Sequence, residues 1–483
     1  PTYKQLLGSI EYESDGEVLV SDFTRIRAGS LLRAHGGFLM LHLRDVLADP
    51  PVWEKLRRFV RSACLQIEEP GVLYSPVAAV SLAPEAVQAD VKLVLITSPD
   101  EFEAVLALDP ELARRFRCKV DFADSFPAGP QAAQDTAVFV ARTCARWGLP
   151  HFTAKATALL IEDSHRLAQD QFRQSAVFAA TEALVMESAA LARARQATEV
   201  APEDVHAARQ AREYRHNEPE ERLLDALAQG EKVLPVSGSM VGSVNGLSVV
   251  MLGDYSFGFP MRVTARTHAG DKGLLSIDRE VELSGPIHDK GVLILQSCLV
   301  SLFAHQAPLA LEASLVFEQE YNGVEGDSAS CAELYALLSS LAAVPLAQGI
   351  AITGSLNANG DVLPVGGINE KIEGFFRSCE RVGLDGTQGV LLPERNRRHL
   401  MLDERVVQAV AQGRFHIHTI STVAEGMALL SGLPWGELGP NGYPAGSVLG
   451  RAQARLRRFR QALDAVGSHH QQAAHKRRNQ HDH

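Results

Sequence analysis

The sequence predicts an α/β segment, then an all-helical segment, then an α+β domain. Three observations carry this reading. Short apolar runs of strand length alternate with helical patterns up to about residue 125. Apolar residues then recur at helical spacing to about residue 230, and strand-like runs, helical runs and Gly-rich turns follow to residue 433.

In the first segment, 17–20 suits a short strand and 37–43 (Gly-Phe-Leu-Met-Leu-His-Leu) a buried one. A helical pattern occupies 51–62 and a further strand 91–97. Strands alternating with helices in this way suggest a parallel sheet. In the second segment, rich in Ala, Gln, Arg and Glu, helices are expected over 154–167 and 178–191. Another should start at Pro202, with Glu203 and Asp204 favouring its positive end. In the third, strands are expected at 246–252, 261–265, 313–318 and 350–353, and helices at 291–304, 330–343 and 370–381. A Pro/Gly-rich linker after Gly436 leads to a basic amphipathic stretch, 451–465. The polar, low-complexity residues 468–483 have little to bury and are expected to be disordered. The division is therefore 1–127, 128–230, 231–433 and 434–483.

The 483 residues, 46 % apolar and 22 % charged, suffice for a sizeable core. A formal net charge of -11 makes a dedicated nucleic-acid binder a poor fit, since phosphate calls for a basic face. For the arginine-rich stretch 451–460 a solvated helix face outweighs a nucleic-acid contact. No apolar run approaches the ~20 residues that span a bilayer. Six cysteines, far apart and without CxxC, argue against a disulfide framework or a thiolate zinc site and for a reducing cytoplasm. The opening Pro1-Thr2-Tyr3 has no initiator Met and no signal pattern; it reads as trimmed, leaving room for an upstream segment.

Two segments could carry chemistry. In Tyr321-Asn-Gly-Val-Glu-Gly-Asp-Ser328-Ala-Ser330-Cys-Ala-Glu333 a Gly-rich loop runs into a helical pattern. Ser330 and Glu333 have capping-box spacing, which leaves Ser328 on the loop beside unpaired helix N–H groups. Such a place suits a nucleophile whose oxyanion needs donors. By itself the segment reads first as an ordinary helix start with spare serines, since Ser is a favoured capping residue. In Gly360-Asp-Val-Leu-Pro-Val-Gly366-Gly367-Ile-Asn-Glu-Lys371-Ile-Glu-Gly-Phe-Phe376 a Gly-Gly turn opens a helix with Lys371 in its first turn. A cation there is disfavoured, more so when buried beside Ile372 and Phe375, so its pKa should fall until a neutral amine can act as base. By itself it also reads as a solvated surface lysine.

Together, in this order and about forty residues apart, the two segments resemble the Lon-type proteases with a Ser-Lys dyad. Phe317-Glu318 precedes the loop, Gly326-Asp-Ser328-Ala-Ser330 resembles the serine motif of the Lon B branch, and Thr353-Gly354 with 362–367 and Glu370-Lys371 resembles the lysine motif. Ser284-Gly-Pro-Ile-His-Asp-Lys-Gly291 and 370–376 look closest to a bacterial subgroup with an atypical AAA+ segment and to the ATP-independent Lon-like proteases of the C type. The resemblance implies that Ser328 is the nucleophile, Lys371 the base and Thr353 a holder of the lysine, with N–H groups around Asp327 and Ser328 forming the oxyanion hole. It implies a serine endopeptidase acting on unfolded or loosely folded polypeptides, arranged as a homo-hexamer, in the cytoplasm.

By the same resemblance 1–127 is a degenerate AAA+ core, 128–230 its small helical subdomain and 231–433 the Lon protease domain. Nowhere in the 483 residues is there Gly-x-x-x-x-Gly-Lys-[Ser/Thr]. The strand at 37–42 resembles the Walker-B strand, yet His42, Leu43 and Arg44 stand where an acid should hold Mg²⁺. Thr97-Ser98 falls at the sensor-1 position, and Arg114, Arg115 and Arg117 in the arginine-finger region. No cofactor is therefore expected, ATP included. The competing readings are an ATP-dependent protease whose P-loop lies in a missing upstream segment, and a non-hydrolytic chamber that binds unfolded chains.

Two lesser candidates remain. His416 and His418 share one side of a strand, a poor basis for a metal site without further ligands. His288-Asp289, read as lying in a loop near Ser284, could suggest a Ser-His-Asp set; the Ser-Lys pair makes it unnecessary.

Overall fold

The computed structural model describes residues 2–15, 18–68, 82–253, 255–304 and 309–481. The chain forms two compact units, Pro1–Phe122 and Ala123–His483.

In the first unit the apolar runs pair as expected: Phe38–His42 lies parallel to Lys92–Ile96. Leu39, Leu41, Leu93 and Leu95 face a core with helix Pro50–Ser62, whose Val52, Leu56 and Phe59 are buried. His42 caps a short helix, Leu43–Leu47, so Asp45 sits on a helix rather than at the strand end. Arg44 pairs with Glu101 at 2.7 Å. Ser98 caps helix Pro99–Leu108 by accepting from the N–H of Glu101, whose carboxylate accepts in return from the N–H of Ser98.

The second unit begins with a helical part: Pro130–Trp147, Ala154–Ala168, Phe178–Ala194, Pro202–His216 and Glu218–Ala228. Its core of Val140, Cys144, Leu160, Leu184, Val185 and Val205 follows from the helical spacing of those residues. The segment is not all-helical, because Ser125–Pro127 pairs with Arg173–Ser175 and His151–Phe152 with Glu199–Val200. These strands are two or three residues long and lack an alternation that could announce them. The first pairing also draws residues 125–127 into the second unit, ahead of the expected boundary after 127.

The large sheet comprises β1 (Ser243–Leu252), β2 (Tyr255–His268), β3 (Gly273–Ser276), β4 (Glu312–Glu318), β5 (Ile350–Ile352), β6 (Gly389–Pro393) and β7 (His416–Ile420). Its strand order is β3-β4-β2-β1-β5-β6-β7. The β1–β2 and β2–β4 pairs are antiparallel; β3–β4, β1–β5, β5–β6 and β6–β7 are parallel. Helices α1 (Pro286–Phe303), α2 (Ser330–Ala342), α3 (Ile368–Val382) and α4 (Val423–Ser431) complete the domain. Every residue of α2 is buried, which makes it the central helix of a large core with Val263, Leu315, Ile352 and Met427. A second core, around Ile372, Phe375, Phe376 and Phe415, holds α3.

Two expectations for the C-terminus need correcting. Residues after 433 are not a linker outside the domain, because Val448, Leu449, Ala452 and Leu456 join the core that contains α2. They open α5 (Val448–His481), which runs through the tail expected to be disordered. Docking of its first turns offsets the cost of helix nucleation, and the following Gln, Ala, Lys and Arg residues are good helix formers.

Candidate active site

Ser328 lies two residues before α2, on a loop fixed from several sides. Its carbonyl accepts from the Gly354 N–H at 2.8 Å and from Thr353 Oγ1 at 3.3 Å. The Cys331 N–H, an otherwise unpaired donor of the first helical turn, donates back to the Gly354 carbonyl at 3.0 Å. A Cβ on Gly354 would stand 2.8 Å from Cys331 Sγ, so this close approach requires glycine. The expected capping box does not form. The cap is Ala329, Ser330 Oγ donates to the Asp327 carbonyl at 2.8 Å, and Glu333 is buried elsewhere. The capping spacing found the start of the helix to within one residue but not the use of its side chains.

Lys371 arises from α3. Gly367, at φ +64°, caps this helix, and a Cβ there would meet Val249 at 2.7 Å. Lys371 Nζ lies 2.8 Å from Ser328 Oγ and 3.2 Å from Thr353 Oγ1. Thr353 thus receives a hydrogen bond from the lysine and donates its own to the serine carbonyl. Lys371 is 4 % exposed and Thr353 fully buried. Burial pushes the amine down to about 8, while the carboxylates of Asp327 and Glu370 pull in the opposite sense. The expected neighbours Ile372 and Phe375 are both fully buried.

All four expected residues therefore meet in one place. Asp327 turns its carboxylate to Ser355, whose Oγ donates to Oδ2 at 2.6 Å. Two contributors escaped the sequence reading. Ser355 follows the quoted Thr353-Gly354 pair, and Gly291 on α1 brings that helix against the serine loop: a Cβ there would lie 3.1 Å from Ser330 Oγ and 3.6 Å from Asp327 Cβ. Gly291 ends the quoted 284–291 run, so the residue was in view although its packing against the serine loop was not.

His288 and Asp289 lie on α1, not in a loop. His288 Nε2 meets Glu333 Oε1 at 3.1 Å, both side chains 1 % exposed, while Ser284 Oγ donates to Asp289 Oδ1 at 2.6 Å. The imidazole bonds Glu333 rather than Asp289, and its Nδ1 finds no partner, so the three residues do not form a relay. The His416 and His418 rings stack 6.0 Å apart, His416 Nε2 lies 2.9 Å from the Gly386 carbonyl, and the described residues contain no set of three His, Cys, Asp or Glu able to hold a metal. All six cysteines are free thiols. Among the described residues no helix is long and apolar enough to cross a membrane.

Comparison of the sequence with known proteins finds a family for the chain. Residues 1–123 match the LonB-like AAA domain, 151–215 the LID domain of the archaeal LonB AAA+ ATPase, and 322–430 the C-terminal proteolytic domain of Lon protease, type S16. A Lon protease homolog of Escherichia coli K12 is 32 % identical over 413 residues, 85 % of this chain and 69 % of that protein. A Lon protease homolog of Haemophilus influenzae is 44 % identical over 200 residues, 40 % of this chain and 33 % of that protein. An archaeal Lon protease of Thermococcus kodakarensis is 26 % identical over 476 residues, 96 % of this chain and 68 % of that protein. The chain thus spans between a third and about two thirds of these relatives' lengths. On the match to the Escherichia coli relative and to the S16 proteolytic domain, the chain belongs to the Lon protease family of serine peptidases.

Proposed function

We propose that this chain cleaves unfolded or loosely folded polypeptides by acyl transfer, with Ser328 as nucleophile and Lys371 as general base. The observation that carries the reading is the 2.8 Å separation of Lys371 Nζ and Ser328 Oγ in a buried setting that lowers the pKa of the amine. In the neutral state the amine accepts the hydroxyl proton as Oγ attacks the peptide carbonyl carbon. The resulting ammonium gives that proton to the leaving nitrogen as the C–N bond breaks. Water then attacks the acyl ester, again losing a proton to Lys371, and Ser328 is restored. Thr353 holds Nζ in line, and backbone N–H groups around Asp327 and Ser328 receive the oxyanion. The proposed setting is a cytoplasmic homo-hexameric ring.

ATP independence belongs to the same proposal. It is supported by the missing acid at the end of the strand Phe38–His42, where Arg44 is instead committed to Glu101. A second reading, ATP dependence through a P-loop outside these residues, is favoured by the partial coverage of the relatives. Incubation with casein decides between them. Cleavage without nucleotide, lost in Ser328→Ala, is the expected result; cleavage only with ATP and Mg²⁺ selects the second reading. Labelling with a peptide boronate separates both from a chamber that merely binds, because boron bonds only an activated hydroxyl.

A further inference from the structure

The helix that carries Lys371 has a second face that the chemistry leaves unused. Glu370, Glu373, Arg377 and Arg381 follow at intervals of three and four, which aligns them in one stripe. Each meets the helical part of the same unit. Glu373 receives a bidentate pair from Arg166 at 2.7 and 2.6 Å; Arg377 binds Glu220 at 2.8 and 2.9 Å and Glu213 at 2.7 Å; Arg381 binds Glu221 at 2.6 Å. Gln169 reaches Glu370 at 3.5 Å. Glu373 stands two residues from Lys371, so the two side chains leave α3 on opposite sides.

Arg166 belongs to helix Ala154–Ala168, whose apolar residues lie in the core of the helical part; α3 lies in a different core. Between them is a cleft of about 710 Å³ bordered by Arg166, Glu370, Glu373, Gly374 and Arg377. Charged bonds across the edge of a cleft, rather than a shared apolar core, join the Arg166 helix to α3. Arg166 also donates to the Met401 carbonyl at 2.9 Å, and Glu373 accepts from the Asp403 N–H at 2.7 Å, which ties the pair to the segment 401–403.

We propose that Arg166 is a positioning residue for the dyad: through Glu373 it fixes the seat of α3 and so the approach of Lys371 to Ser328. The inference rests on the Ser-Lys reading above. A displacement of α3 by a fraction of an ångström lengthens the Nζ–Oγ contact and so slows the chemical step without touching the binding of substrate.

The test is hydrolysis of a fluorogenic peptide amide by the full chain from pH 6 to 10. Arg166→Gln is expected to lower kcat about tenfold at pH 7 with KM little changed. Arg166→Gln/Glu373→Gln should leave kcat low as well, and Arg166→Lys should recover part of kcat. A folded Arg166→Gln variant with wild-type kcat overturns the proposal. Should that variant fail to fold, the double variant strands no carboxylate, and wild-type kcat in it overturns the proposal equally. Hydrolysis that persists unchanged in Ser328→Ala removes the dyad reading itself and the inference with it.

Discussion

Gly374 on α3 rests directly on the backbone of Gly258 on β2. A Cβ on Gly374 would stand 1.8 Å from the Gly258 carbonyl oxygen, and one on Gly258 would stand 2.1 Å from the Glu370 carbonyl oxygen. This contact lets the Lys371 helix lie close against the sheet, which makes the depth of the amine a consequence of two missing side chains. Gly374→Ala separates two opposing effects. Inside a helix the change gains about 1 kcal/mol of propensity. Against rigid backbone the added methyl costs about 1–3 kcal/mol or more, because a carbonyl cannot rotate aside. The clash is expected to win. The variant should melt lower than wild type, and kcat for a peptide amide should fall about 100-fold as Lys371 is displaced. A higher melting temperature with normal turnover would show that α3 does not depend on this contact.

Lys371 sets the expected pH dependence of turnover. Burial pushes its amine down to about 8, and the proposed mechanism needs the neutral form, so about one molecule in ten is competent at pH 7. The rate should rise about tenfold per pH unit below 8 and level off above it. Glu370 stabilises the ammonium, so Glu370→Gln should move the midpoint to lower pH. Initial rates over pH 6–10 for both chains measure this; a Glu370→Gln midpoint at or above the wild-type value rejects the electrostatic role of Glu370.

The same depressed pKa predicts a stability effect of opposite sign to that of a salt-bridged lysine. Below pH 8 the folded chain holds a buried ammonium, a cost to folding. Between pH 8 and the ordinary value of 10.5 the unfolded chain binds the proton and the folded chain does not, so stability rises with pH in this window. The relief amounts to about 3 kcal/mol at most. Lys371→Met removes the titrating group, so its stability relative to wild type should be highest below pH 8 and decline towards pH 10. Denaturant unfolding of both chains at pH 7 and 10 tests this, and a constant difference would mean that Lys371 is not desolvated.

The sequence made some of this legible and hid the rest, for reasons that differ by residue. The strand Phe38–His42, helix Pro202–His216 and helix α2 were readable because apolar spacing and capping residues are local signals. Ser328 and Lys371 were readable as a pair only through the order and spacing of two motifs, since neither segment is specific alone. Gly374 and Glu373 stood inside a quoted motif without a visible reason, because their partners Gly258 and Arg166 lie over 100 residues away in sequence. The fate of the last 50 residues was missed for a similar reason. Val448 and Leu456 look like isolated apolar residues until α2 supplies the surface they cover.

His288 and Glu333 form the most deeply buried ion pair of the protease domain among the described residues, each 1 % exposed. Burial pulls the imidazole down, but its bond to Glu333, together with the charges of Asp278 and Asp289, outweighs burial and leaves its pKa raised. A raised histidine stabilises the fold fully below its ordinary value of 6.5 and loses that contribution as pH climbs through the folded value. His288 Nδ1 and Glu333 Oε2 find no partner, so the single bond between them carries the compensation for both groups. His288→Leu strands a buried carboxylate on α2 and should cost about 3–5 kcal/mol at pH 6, whereas His288→Leu/Glu333→Leu, which buries no charge, should cost far less. The stability that His288 contributes below pH 6.5 and loses towards pH 8 should also be missing from the double variant. Urea unfolding at pH 6 and pH 8 reads all three quantities. A single variant as stable as the double one would overturn the reading of the pair as a buried ion pair.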